Sequence, residues 1–278
     1  MKPDFSVEEA VAKRCSVRTY DPRPVEPETR QKLLDFAGTL RNPFGPGIRL
    51  QLIEKTPETR GEKLGTYGIL KGAGLYLVVT AMQEEYAAEA LGYEFEQVVL
   101  YAASLGLGTC WLGGTFNRSA FASKIELREK EVFPILSPLG YPAQKKCFSE
   151  EVFRRTLKAD GRKPWEELFF QNGFEDPLTK EAAGEYQFPL EMLRQAPSAV
   201  NRQPWRVVAV KDGFHFFRKT SLGGGGSAMD MQRIDMGIGI CHFHLAAQER
   251  NLTGRFEKNR PAIRLPQDMA YVVSWAFA

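Results

Sequence analysis

Ala196-Pro197-Ser198-Ala199-Val200-Asn201-Arg202-Gln203-Pro204-Trp205 is the stretch on which the reading of this 278-residue chain turns. Prolines stand on either side of Ser198, Asn201 and Gln203. Because proline fixes φ, three hydrogen-bonding side chains are held with little freedom left to lose on binding. Such a segment suits a heterocycle with polar edges. As plain backbone it also reads as a proline-stiffened turn leading into a strand at Trp205 to Val210. From these residues alone, both readings stand.

Working outward, Met229 to Arg250 is an apolar helix followed by Asn251-Leu252-Thr253-Gly254-Arg255-Phe256. The first half contains an echo. From Glu84 to Leu105, the residues Tyr86, Ala90, Tyr93, Val98, Tyr101 and Ala102 recur at helical intervals, and Leu107-Gly108-Thr109-Cys110-Trp111 follows. A helix, a break and a short strand thus recur about 145 positions apart, which reads as an internal duplication. Before the first long helix, Ser6 caps a short helix and Pro27 opens a second, running to about Phe36. Leu75 to Val79 is a β-prone apolar run, read as a central strand buried on both faces. Two more strands are expected after the helix. The break between halves falls at Gln171-Asn172-Gly173, after an amphipathic piece at Trp165 to Phe170. That gives units 1–170 and 171–278. The glycine run Gly223 to Gly226 reads as a flexible connector or as a lid.

Three further clusters carry chemistry. Arg14-Cys15-Ser16-Val17-Arg18 sets two guanidiniums and a hydroxyl in a turn after a helix. Arginine's planar fork matches phosphate oxygens bidentately. A solvated basic turn is the bland alternative. Arg162-Lys163 adds charge that could join the same phosphate or stay a surface pair. Gly106-Leu107-Gly108-Thr109-Cys110-Trp111-Leu112-Gly113-Gly114 lets a flat ligand approach the backbone closely, although the spacing is not that of a dinucleotide-binding loop. Trp111 reads as a packing residue.

Composition excludes more than it selects. Hydrophobic residues at 43% and charged residues at 26% describe a globular protein, and a formal charge of +3 is too slight to imply a nucleic-acid partner. No apolar run approaches the roughly 20 residues of a membrane span, and no secretory signal opens the chain. A cytoplasmic location and reduced cysteines are therefore expected. Neither His242 and His244 nor the four cysteines have metal-ligand spacing, and no nucleophile elbow accompanies the histidines. Metal-site and hydrolase readings fall away.

Taken together, the segments resemble the FMN-dependent nitroreductase family, whose members open with an Arg-x-Ser-x-Arg turn like Arg14 to Arg18. The order departs from the family pattern. There, the Pro-Ser-x-x-Asn-x-Gln-Pro-Trp segment follows that turn by some thirty residues. Here that place reads Gly38-Thr39-Leu40-Arg41-Asn42-Pro43-Phe44, and the motif comes instead at Pro197 to Trp205. Since family members are homodimers with each FMN site shared between subunits, the chain looks like such a dimer fused, similar to a pseudodimeric branch of the family. The resemblance implies an α+β fold of two related domains, one complete FMN site and a decayed second one.

Residue by residue, the resemblance gives Arg14, Cys15, Ser16 and Arg18 to the phosphate and ribityl chain, with Arg162 and Lys163 closing over the phosphate. Tyr67, Gly68 and Ile69 would face the pyrimidine edge. Leu112, Gly113 and Gly114 would run beside the ring, with an N–H near N5. Pro197, Ser198, Asn201 and Gln203 would contact the flavin from the other domain. The implied activity is ping-pong: NADH or NADPH reduces FMN, which then reduces a nitroaromatic, quinone or similar small acceptor, with no catalytic side chain. Other flavin chemistry of the superfamily, or a flavin-binding sensor or store, are the rival readings. Fusion implies a monomer.

Overall fold

Ser6 caps α1 (Val7–Lys13) by accepting the Glu9 N–H on its Oγ at 3.3 Å. Pro27 occupies the first turn of α2 (Pro27–Thr39), where its missing N–H leaves no bond unmade. The computed structural model describes residues 3–54, 69–144, 161–220 and 229–278. Tyr67, Gly68, Cys147 and Gly223 to Gly226 lie outside these. Of the other cysteines, Cys15 is half-buried, and Cys110 and Cys241 are buried.

A first sheet runs in the order β1-β2-β4-β3, formed by β1 (Ile48–Glu54), β2 (Leu75–Met82), β3 (Gly108–Thr109) and β4 (Glu131–Gly140). All its neighbours are antiparallel, with Leu50 opposite Val79 and Val79 opposite Ile135. β2 is buried from Leu75 to Ala81 and lies inside the sheet, as its continuous apolar run requires. The sequence reading had no strand at β1. Its Ile-Arg-Leu-Gln-Leu-Ile-Glu alternation belongs to an edge strand with half-buried faces, a weaker signal than the solid run of β2. It also lacked α4 (Arg118–Ala122), a short helix capped by Asn117, whose Oδ1 accepts the Ala120 N–H.

The second sheet runs β5-β6-β7-β9-β8, from β5 (Phe169–Gln171), β6 (Trp205–Val210), β7 (Gly213–Lys219), β8 (Gly254–Glu257) and β9 (Met269–Phe277). Short helices α5 (Lys180–Ala183) and α6 (Gln187–Gln195) precede β6. Without β5, this sheet has the strand order and directions of the first. In each sheet a long helix follows the second strand: α3 (Ala87–Ser104) in the first and α7 (Met231–Glu249) in the second. Their C-terminal turns match bond for bond. Leu107 N–H donates to Ala102 O, and Leu252 N–H to Ala247 O, both at 2.9 Å.

α3 and α7 are buried around nearly their whole circumference and pack on each other between the sheets. β5 pairs parallel with β6, Phe169 opposite Val207, so the break drawn between 170 and 171 passes through a strand. The piece at Trp165 to Phe170 is built into the second sheet. Nothing local announces this, because parallel pairing joins segments distant in sequence.

Candidate functional site

The segment from Pro197 to Gln203 is held in an uncommon conformation. Val200, Asn201 and Gln203 all have positive φ, at 46°, 56° and 51°. For a β-branched residue such as Val200 this is a strained state that surrounding contacts must impose. The contacts are identifiable. Ala199 N–H donates to Asp235 Oδ1 at 2.9 Å, and Gln203 N–H to Ser198 Oγ at 2.9 Å. The Gln203 side chain, 3% exposed, accepts the Lys163 N–H at 2.8 Å and donates to Asn201 Oδ1 at 3.1 Å. Asn201 Nδ2 donates to Gly161 O at 2.9 Å.

The same bonds draw Arg162 and Lys163 to the segment, forty positions away in sequence. Arg162 Nη2 donates to Gln195 O at 3.0 Å, and Arg194 Nη1 to Lys163 O at 3.1 Å. The sequence suggested that this basic pair could join a site. The amide side chains of Asn201 and Gln203, together with Arg194 and the Gln195 carbonyl, hold it.

The turn from Arg14 to Arg18 is zipped onto the strand after α3. Ser16 bridges Thr109, and Val17 N–H donates to Thr109 O at 2.8 Å. On its other side, Lys71 N–H donates to Arg18 O at 2.9 Å, which sets half-buried Ile69 close along the chain to this turn. Cys15 lies half-buried between Arg14 and Ser16. Arg14 Nε is buried with no hydrogen-bond partner among the described residues, so a donor is left for an anionic ligand.

From Thr109 the chain passes to Leu112, which exchanges backbone bonds with Leu136 at 2.9 and 3.0 Å. Gly113 then lies against Met231 at the start of α7: a Cβ added there would sit 2.6 Å from Met231 Cε. Gly114 faces open space. One turn further along α7, Asp235 returns the path to Ala199. Contacts thus run without a gap from Arg14–Arg18 through Thr109–Gly114 and α7 to Ala199–Gln203 and Gly161–Lys163. Elements from both sheets contribute.

Two buried carboxyls in this region, Asp235 and Glu96, escaped the sequence reading. Burial raises the Asp235 carboxyl to about 8. Glu96, in α3, accepts from Trp111 Nε1 at 2.8 Å and meets His242 Nε2 at 2.9 Å, while His242 Nδ1 donates to Met192 O at 3.0 Å. This chain ties the strand before Leu112 to α7 and α6. Trp111 also packs edge-on against Phe95, so its packing role is confirmed. A lone acid inside an apolar helix, as in Ile234-Asp235-Met236, is the only signal the sequence carried for these groups.

The position equivalent to Leu112–Gly114 in the second sheet reads Glu257-Lys258-Asn259, since Glu257 opposes Ser274 as Leu112 opposes Leu136. That place is filled. Lys258 Nζ donates to Phe44 O at 2.7 Å and lies 3.9 Å from the centre of the Tyr86 ring. Phe44 is 2% exposed and stacks on Tyr86, whereas Val200, in the corresponding loop before β6, is 58% exposed.

With this geometry in view, comparison with known proteins is informative. A family described as "Putative TM nitroreductase" matches residues 6–247. The chain belongs to this nitroreductase family. Its fold is the α+β nitroreductase fold: a structure described as a "putative nitroreductase" from Thermotoga maritima MSB8 aligns with TM-score 0.63 at 19% identity, over 100% of this chain and 96% of that one. Shorter relatives align over about half of it. A nitroreductase family protein from Clostridium difficile 630 gives TM-score 0.44 at 25% identity, over 58% of this chain and 95% of its own. One from Desulfovibrio desulfuricans, described as in complex with FMN, gives 0.40 at 24%, over 54% and 96%. Comparison with curated proteins gives no match. No helix among the described residues of this nitroreductase-family chain is long and apolar enough to cross a membrane, and no group of His, Cys, Asp or Glu there could hold a metal.

Proposed function

We propose that this nitroreductase-family chain binds one FMN and uses it to carry electron pairs from NADH or NADPH to a small acceptor such as a nitroaromatic or quinone. The supporting observation is the unbroken run of contacts from Arg14 to Lys163. It links basic groups, glycine backbone and a rigid amide-rich segment, which supports a shared site. The buried, unpartnered Arg14 Nε and the open space at Gly114 fit a ligand with an anionic end and a flat body.

In this reading the FMN supplies the hydride chemistry, and the chain supplies binding, orientation and electrostatics. Arg14, Ser16, Arg18 and Arg162 hold the phosphate through charge-assisted bonds. The N–H groups of Gly113 and Gly114 serve the ring edge, with open space at Gly114. Asn201 and Gln203 are already fixed to Gly161 and Lys163 before any ligand arrives, so little ordering remains to oppose binding. No side chain acts as acid or base.

The matched order of the two sheets and the 145-position offset between α3 and α7 support descent from a fused family dimer, with a monomer as the working form. Lys258, Phe44 and Tyr86 fill the second position, which accounts for a single site. The test is the visible spectrum of purified protein, with released flavin counted per chain and NADH or NADPH then added without air. About one FMN per chain, bleached by either nucleotide, is expected. Flavin that stays oxidised would point to a sensor or store, and absence of flavin uptake would overturn the proposal.

A further inference from the structure

We propose that Asp235 is a positioning residue for the flavin site: from the second turn of α7 it clamps the Ala199 N–H and holds the left-handed turn that seats Asn201 and Gln203 on Gly161 and Lys163. This rests on the flavin reading above. Asp235 is 1% exposed, and its Oδ1 accepts the Ala199 N–H at 2.9 Å. Its Oδ2 is buried with no hydrogen-bond partner among the described residues.

The clamp sits where the backbone is under most strain. Val200 and Asn201, the two residues after Ala199, both have positive φ, and Val200 is β-branched and largely exposed, so its own packing does not hold it there. Asn201 N–H returns to Ser198 O at 3.0 Å, a bond internal to the turn that fixes its shape but not its place. Among the bonds of Ser198 to Val200, Ala199 to Asp235 is the one that ties the turn to a buried helix. Without it, the turn can relax toward unstrained backbone and carry Asn201 and Gln203 off Gly161. Asp235 acts through Ala199 and need not touch the ligand.

Three variants test this: Asp235→Ala removes the acceptor, Asp235→Asn keeps it, and Ala199→Pro removes the donor while leaving α7 untouched. FMN affinity is read by quenching of flavin fluorescence, and the hold on the turn by hydrogen exchange of the amides from 198 to 203. D235A and A199P should each weaken FMN about tenfold or more, with D235N within about threefold of the parent. The Ala199 amide should exchange about tenfold faster in D235A and be restored in D235N. FMN affinity unchanged in both D235A and A199P, or D235N losing as much as D235A with circular dichroism intact, would overturn the proposal and leave the flavin reading standing. If the parent protein takes up no FMN, the flavin reading fails, and this role with it. Exchange at Ala199 then still decides whether the clamp itself exists. Should D235A not fold, A199P and D235N carry the test.

Discussion

Gly92 in α3 and Gly237 in α7 each face the backbone of the other helix: a Cβ on Gly92 would lie 2.0 Å from Ile234 O, and a Cβ on Gly237 would lie 2.0 Å from Glu89 O. The contact is reciprocal. Gly237 lies 145 positions after Gly92, and Ile234 the same distance after Glu89, so the two contacts share one offset. Both clashes are with backbone oxygen, which cannot swing aside. Glu89 reinforces the crossing by accepting Arg233 Nε at 2.6 Å.

Either glycine replaced by alanine should therefore force the helices apart. We expect G92A and G237A each to lose about 3 kcal/mol, at the upper end for overpacking. Denaturant unfolding reads this directly. A loss below about 0.5 kcal/mol in both would contradict so close a crossing.

Arg14 and Asn201 lie 187 positions apart, yet the proposed site joins them. Arg14→Ala and Asn201→Ala should each weaken FMN about tenfold or more, measured by titration of the apoprotein. If only one of them does, the site is not shared between the two halves.

Stability should carry a pH signature of Asp235. Its carboxyl titrates at about 8 in the fold, raised chiefly by burial and by Asp230, and opposed by the Ala199 N–H and Arg202. Unfolded, it ionises near 3.8. Between about pH 4 and 8 the folded state thus keeps a proton that the unfolded state has lost. Stability from this group falls as pH rises through that window, by about 1.4 kcal/mol per unit at most. D235N cannot ionise, so its stability should decline less steeply than the parent's from pH 5 to 8. Parallel curves from denaturant melts would show that Asp235 is ionised in the fold.

Glu96 joins half-buried Trp111 to His242, with Glu96 and His242 fully buried. Glu96→Leu removes the acceptor of the Trp111 N–H and the partner of His242 Nε2, at a loss of about 3 kcal/mol. Trp111 fluorescence should shift as well, since its indole loses the bond that orients it. Unchanged stability and emission would mean that the chain of bonds is not formed in solution.

Much of this was legible in the sequence, and the reasons are local. Ser6 and Pro27 mark helix starts because caps act within one turn. The apolar run of β2 and the buried helices α3 and α7 declare themselves through periodicity. The proline-flanked segment and the Arg14–Arg18 turn stood out as candidates, because donor type and backbone restriction are properties of a few adjacent residues. Even the 145-position echo, read from a helix and its break, reappears as the register of Gly92 with Gly237.

Only the tertiary structure decided the rest. That β5 joins the second sheet, that Asn201 and Gln203 seat on Gly161 and Lys163, that Asp235 clamps Ala199, and that Lys258 and Phe44 fill the counterpart position are all meetings of segments far apart in sequence. Which buried acid finds which N–H depends on how two helices cross, and that crossing is set by packing across the whole chain, beyond what any one stretch encodes.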